Sequence, residues 1–260
     1  MDDEVPGAAA LERMLTPAGS GDEAASAADD AALPVAATVI IARDASHGPE
    51  VLMLERPDRG SFAGAWVFPG GRIEPEDRVA AAGEVAEADA ARRAAVRETR
   101  EETGLVLDAG ALVPLSRWTP PVGVPLRIRT WFFATAAPES DAVLSLQEAE
   151  AVGAAWIRPA AVLERHGRGG ITLYPPTWVT LHTLQPARDV EDLLARARLG
   201  GLQEFRPRLR GTDDARVLLY EGDAEYDDAS AADGAPADAS APRHRLLMTG
   251  TPWLYERTVP

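Results

Sequence analysis

The chain has 260 residues, a formal net charge of −15 and 46% hydrophobic residues, enough apolar material for a full core in one large domain or one domain with an extension. It contains no cysteine, which excludes a disulfide framework, a thiolate metal site and a cysteine nucleophile. All 26 basic residues are arginine, and the acidic excess argues against binding duplex nucleic acid, which needs a basic footprint, while leaving room for a small anionic substrate held by local arginines and metal.

The N-terminus, Met1-Asp2-Asp3-Glu4, lacks the basic and apolar regions of a signal peptide. No apolar run approaches the roughly 18 residues that span a bilayer. A cytoplasmic protein with no membrane partner is therefore expected. Residues 1–33 are rich in Ala, Asp and Gly and read as a disordered acidic tail, with a helical turn at Leu11 to Leu15. Order is expected from Pro34. Ala37 to Ala42 and Val51 to Leu54 are β-branched and apolar, and the polar turn Asp44 to Glu50 makes them a hairpin. Trp66 to Phe68 forms a short strand that ends at the breaker Pro69-Gly70-Gly71.

Residues 86–103 form a helix with Gly104 as its C-terminal cap; Ala88, Ala91 and Ala95 give it a small-residue stripe that can lie close to a sheet. Leu112 to Trp118, Ile128 to Ala134 and Ala154 to Ile157 follow as strands. Helices are expected near Ala160 to His166, from Pro175 to Leu184, and from the Asp189 cap to Leu199. The tail returns to β at Arg216 to Tyr220, Arg245 to Thr249 and Trp253 to Arg257, around a mobile acidic loop from Glu221 to Pro242. There is no internal repeat. Strands mixed with helices predict an α/β domain over 34–200 and a C-terminal extension over 201–260.

The informative segment is residues 97–105, Arg-Glu-Thr-Arg-Glu-Glu-Thr-Gly-Leu. Glu98, Glu101 and Glu102 stand at i, i+3 and i+4 on one helix face, a spacing at which like charges destabilise a helix by a few tenths of a kcal/mol per pair. A multivalent cation removes that penalty, and Mg²⁺ takes one or two carboxylates plus substrate phosphates. Arg97, four residues before Glu101, can orient the carboxylates by charge-assisted hydrogen bonds. The Pro-Gly-Gly turn can bring a backbone carbonyl, that of Gly70, to the same ion. One glutamate could then take a proton from an attacking water. Alone, such a run would be a solvated helix face with an ordinary Arg97–Glu101 pair. The order Arg-Glu-x-x-Glu-Glu-x-Gly after a strand and Pro-Gly-Gly favours the catalytic reading.

These residues resemble the Nudix hydrolase family, whose box runs Gly-x5-Glu-x7-Arg-Glu-U-x-Glu-Glu-x-Gly-U with U apolar. Arg97 to Leu105 match it except for Thr99 at an apolar position. The first half is interrupted: counting from Gly71 gives Asp77 as the first acid, counting back from Arg97 gives Asp89, and about 12 residues between them read as an insertion. The resemblance implies an α/β/α sandwich with a mixed sheet and a C-terminal helical and β extension. It implies Mg²⁺ or Mn²⁺ held by Glu98, Glu101, Glu102 and Gly70, with Arg97, Glu98 and Glu101 in catalysis. One more metal-binding glutamate is expected from the loop before a late strand, Glu150 or its alternate Glu148. The implied substrate is a nucleoside diphosphate linked to another group.

Trp66 to Asp77, Arg117 to Pro121, Arg127 to Phe133 and Pro175 to Leu184 further resemble the coenzyme A diphosphatase branch with an insertion in the box. Coenzyme A or an acyl-coenzyme A is the expected substrate, with ADP-ribose or another nucleotide sugar next. Arg72, Arg127 and Arg129 have the planar fork that suits phosphate oxygens. Trp118 and Pro120 can line an adenine or pantetheine pocket, or simply pack in the core. The four histidines, His47, His166, His182 and His244, fall at no metal spacing, and neither a Gly-x-Ser-x-Gly elbow nor a Walker loop occurs. A non-catalytic Nudix-fold nucleotide-binding module and an acidic interaction protein are the competing classes. The sequence leaves open whether the chain is a homodimer.

Overall fold

The computed structural model describes residues 7–15, 30–59, 62–80, 83–138, 144–147, 150–211, 216–227 and 240–258. The β-branched run near the start of the domain forms β1 (Val35–Arg43), which turns back antiparallel into β2 (Glu50–Glu55) with Ala42 opposite Val51. Alternation along β1 sends Val35, Ala37, Val39 and Ile41 to one face and Ile40 and Ala42 to the other. A strand buried on both faces reads as a continuous apolar run, which is why this one was visible in the sequence.

Around β1 stand β3 (Trp66–Val67), β4 (Gly70–Arg72), β7 (Val113–Trp118), β8 (Arg129–Ala136), β9 (Gly153–Ile157) and β10 (Gln203–Phe205). The order is β10-β7-β8-β1-β2-β3, with β4 on β1 and β9 on β2. Pairing of β1 with β8 and of β7 with β10 is parallel, and the rest is antiparallel, so the sheet is mixed. The insertion holds a 3-10 turn (Pro75–Arg78) and a small hairpin, β5 (Val79–Ala80) with β6 (Gly83–Glu84).

Helices cover both faces. After α1 (Ala8–Leu15), the second helix, α2 (Glu87–Thr103), lies on one side through Ala90, Ala91, Ala94 and Ala95, all fully buried against Val39, Ile41 and Phe133. The small-residue stripe is thus centred one step from its expected position, with Ala88 only half-buried. Gly104 ends α2 in the left-handed region, at φ 75°. The opposite face is covered by α3 (Pro159–Gly167), α4 (Pro175–Leu184) and α5 (Val190–Gly200). Trp178, Leu181 and Leu184 of α4 are buried in that core. The result is the α/β/α sandwich.

Behind these helices sits a second, antiparallel sheet, β11 (Arg208–Arg210), β12 (Arg216–Leu219), β13 (His244–Met248) and β14 (Leu254–Arg257). Its Leu218, Tyr220, Leu246 and Met248 join the same apolar cluster as Trp118 and Phe132.

The helical turn expected at Leu11 to Leu15 is part of α1, which packs on the body through Leu11 and Leu15, and Gly7 sits so close that a Cβ there would lie 2.4 Å from the Ala63 carbonyl oxygen. Residues 1–6 and 16–29 lie outside the described residues. The loop 221–242 is likewise pinned at its start, where Asp223 accepts from the N–H of Glu225 and of His244; residues 228–239 lie outside the described residues.

Candidate active site

Strand β4 begins the site. Gly70 sits at φ 152°, and a Cβ there would stand 2.2 Å from the Ala37 carbonyl oxygen and 2.6 Å from the Thr38 Cα. Only glycine allows this approach to β1. Thr38 Oγ1 and Val39 N–H both donate to the Pro69 carbonyl, at 2.7 and 2.9 Å, fixing the turn. With the turn fixed, each glycine serves a different glutamate of α2. The Gly70 N–H donates to Glu102 Oε2 at 2.8 Å. Gly71 leaves the space that Glu98 fills: a Cβ there would lie 2.2 Å from the Glu98 Cδ. The Gly70 group bonded to the helix carboxylate is its N–H.

Arg97 ties the remaining acids together. One terminal nitrogen donates to Glu98 at 2.9 Å and to Glu101 at 3.1 Å. The other donates to the Arg72 carbonyl at 3.0 Å and to Asp77 at 2.8 Å. Asp77 is buried, whereas Asp89 is exposed on the outer face of α2 and lies 4.0 Å from Arg92. Of the two acids left open by the interrupted box, Asp77 is the one brought to the site.

Glu102 is 1% exposed. Its second oxygen accepts from Arg56 at 3.1 Å, and the same Arg56 nitrogen is 4.0 Å from Glu150. Burial lifts the Glu102 carboxyl to about 8; the Gly70 N–H and Arg56 oppose the rise, and the charges of Glu150 and Glu98 add to it. Glu98 is also raised, by burial first and by Glu101 and Glu150, against the pull of Arg97. Arg56 was not singled out in the sequence, because a basic residue ending a buried strand carries no signal of what it meets.

Four carboxylates, two of them resisting ionisation, with Arg56 lodged between two of the four, fit a hard divalent cation by donor chemistry. Among the described residues no three acidic or histidine side chains already converge as a ligand shell; their carboxylates are engaged by Arg56 and Arg97. Glu148 lies outside the described residues.

A cleft of about 540 Å³ opens beside these groups. Arg72 is exposed at its edge, and Glu98, Glu150 and Arg56 line it. Trp118 lines it too while stacking on Phe205 at 3.9 Å and packing in the core. Arg127 and Arg129 are not brought to the cleft. Arg127 pairs with Asp30 at 2.6 Å and donates to the Pro120 carbonyl, and Arg129 pairs with Glu87. Arg127, just before β8, meets Asp30, and Arg129, at the start of β8, meets Glu87 at the α2 start.

The two glycines make a discriminating test. Gly71→Ala is expected to lower kcat by about tenfold or more if Glu98 takes part in the reaction, since the new methyl group displaces only that flexible carboxylate. Gly70→Ala meets backbone and should instead lower the melting temperature. Kinetics and thermal melts on the two variants side by side check this; equal melting losses would refute the distinction.

A family model described as the NUDIX domain matches residues 32–175. The chain is 29% identical over 125 residues, 48% of its length and 76% of the relative's, to a CTP pyrophosphohydrolase from Escherichia coli (strain K12). Its fold is similar to the crystal structure of a NUDIX hydrolase from Alicyclobacillus acidocaldarius, with 23% identity, a TM-score of 0.56, and coverage of 66% of this chain and 97% of that one.

Proposed function

This chain belongs to the NUDIX hydrolase family, and on that footing we propose that it hydrolyses the diphosphate of coenzyme A or an acyl-coenzyme A. Water adds across the P–O–P bond, giving a phosphopantetheine product and an adenosine bisphosphate. Glu98, Glu101, Glu102 and Glu150 would hold Mg²⁺ or Mn²⁺, which supplies charge neutralisation at the diphosphate oxygens. Glu98, partly buried and raised in pKa, accepts the proton of the attacking water. Arg97 holds Glu98 and Glu101 in register, and Asp77 holds Arg97. Arg72 at the cleft edge takes phosphate oxygens.

The observation that carries this reading is the pairing of each glycine of the turn with one glutamate of the helix. It joins the two sequence elements, and Glu98 and Glu150 line a ligand-sized cleft, which supports the reading. The apolar length of that cleft supports a substrate with an uncharged pantetheine arm. ADP-ribose or another nucleotide sugar is the second reading, supported by the aromatic residues among the cleft lining, which suit a base. A non-catalytic nucleotide-binding module is disfavoured by the intact Arg97 network.

The test is a panel of coenzyme A, ADP-ribose, a dinucleoside polyphosphate and CTP, each incubated with Mg²⁺ or Mn²⁺ and with chelator, and the products separated. Metal-dependent cleavage of coenzyme A into two phosphate-bearing halves is expected. Cleavage of ADP-ribose alone would overturn the substrate, and cleavage of none would overturn the activity.

A further inference from the structure

The charged side chains lining the cleft, among the described residues, are Arg56, Arg72, Glu74, Glu98 and Glu150. These belong to the turn around β4, the end of β2, α2 and the loop before β9, which together form the diphosphate end. The rest of the lining is apolar or hydroxyl-bearing, and its aromatic floor is Trp118 and Phe132. A charged group placed there would lose water without gaining a partner, while an uncharged group would gain about 25 cal/mol for each Å² of apolar surface covered.

The origin of that wall is unexpected. Leu15 comes from α1, Pro207 from the turn between the two sheets, and Leu218 from β12 of the second sheet. All three lie outside residues 32–175, the segment that matches the family. Leu15 and Leu218 are 9% and 2% exposed and share one apolar cluster with Trp118 and Phe132. The wall is therefore part of the packed body. Tyr174 also lines the cleft, and its buried hydroxyl has no hydrogen-bond partner. A polar atom of a ligand would satisfy it, so a purely hydrocarbon occupant is not the best fit.

We propose that Leu15, Pro207 and Leu218, supplied by the segments that flank the family domain, form a specificity wall that selects diphosphate substrates carrying an uncharged, mainly apolar arm. The proposal rests on the diphosphate reading of the site and adds what distinguishes one diphosphate from another. It gives the N-terminal helix and the second sheet a role in substrate choice. The charged end sets where the diphosphate lies; the wall determines what may be attached to it.

The experiment measures binding on the full chain by calorimetry with Mg²⁺, using methyl diphosphate and n-hexyl diphosphate as probes. They share the diphosphate and differ only in the arm. The unmodified chain is expected to bind the hexyl ester at least tenfold more tightly. Leu15→Asp and Leu218→Asn should each shrink that ratio below threefold. Leu218 is deep in the core, so thermal melts accompany the measurement, and Leu15→Asp decides alone if the Leu218 variant does not fold. Equal affinity of the two probes for the unmodified chain, or an unchanged ratio in a folded wall variant, overturns the proposal. An apolar preference in a chain that hydrolyses no substrate of the panel would leave the wall standing and remove only the catalytic reading.

Discussion

Glu102→Gln is expected to lower kcat by about 10²-fold or more, on the scale of losing a positioned catalytic group. Glutamine fills the same volume and can still accept from the Gly70 N–H, so what is lost is the charge. That charge is held back in the free protein: burial lifts the carboxyl to about 8, and Arg56 only partly offsets it. A cation arriving among Glu98, Glu102 and Glu150 must therefore displace a proton at neutral pH. Apparent cation affinity should rise with pH up to about 8, and calorimetry in buffers of different ionisation enthalpy should show proton release that vanishes in Glu102→Gln.

Stability runs the other way. The folded carboxyl keeps its proton up to about 8, while the unfolded one releases it near the ordinary glutamate value of 4.5. The contribution to stability is thus full below the unfolded value and lost as pH rises through 8. At pH 7 without cation the parent must take up a proton on folding that glutamine does not need, so the variant should melt above it, and the difference should shrink as pH falls toward 4.5. A kcat change under threefold would show that Glu102 is not part of the reacting machinery.

What the sequence made legible was what is local. The Arg97–Glu102 run lies on one helix, so its spacing alone placed three carboxylates on one face. β1 and the α2 alanines were readable because burial on a sheet or against a helix imposes a period or a continuous apolar run. What could not be read was contact over long chain separations. Nothing in the run Val51 to Arg56 indicates that Arg56 will meet Glu102, 46 residues on. The choice between Asp77 and Asp89 required knowing that the 3-10 turn of the insertion folds under Arg97. Arg127 and Arg129 fit phosphate recognition by chemistry, but their partners Asp30 and Glu87 are 97 and 42 residues away. Alanine-rich, acidic segments ordinarily bury too little to order, and α1 is held by one close glycine contact and by Leu11 and Leu15 packed on the core.

Asp223→Ala is expected to destabilise the protein by about 3 kcal/mol or more, the range for removing one partner of a buried ion pair. The Asp223 side chain is fully shielded from solvent. It accepts from Arg245 Nε at 2.7 Å, from Arg245 Nη2, from the His244 N–H at 2.8 Å and from the Glu225 N–H at 2.9 Å. Burial opposes its ionisation, yet the hydrogen bonds from Arg245, His244 and Glu225 keep its carboxyl below the usual value. Among the described residues, alanine would leave Arg245 with Glu225, at 3.1 Å, as its acidic partner and remove the acceptor of two backbone N–H groups. The sign with pH follows from the lowered pKa: the contribution is present above about 3.8 and is lost as pH falls through the folded value. Urea unfolding at pH 7 and at pH 3 should therefore show a large gap between parent and variant that narrows in acid. A gap below about 1 kcal/mol at pH 7 would mean that Glu225 alone neutralises Arg245. The consequence reaches the cleft, because the turn that Asp223 pins joins β12 to β13, and β12 carries Leu218. Loosening it should weaken binding of an apolar-armed diphosphate before it touches the carboxylates on α2, and that order of loss separates a wall held by the second sheet from a sheet that merely adjoins the site.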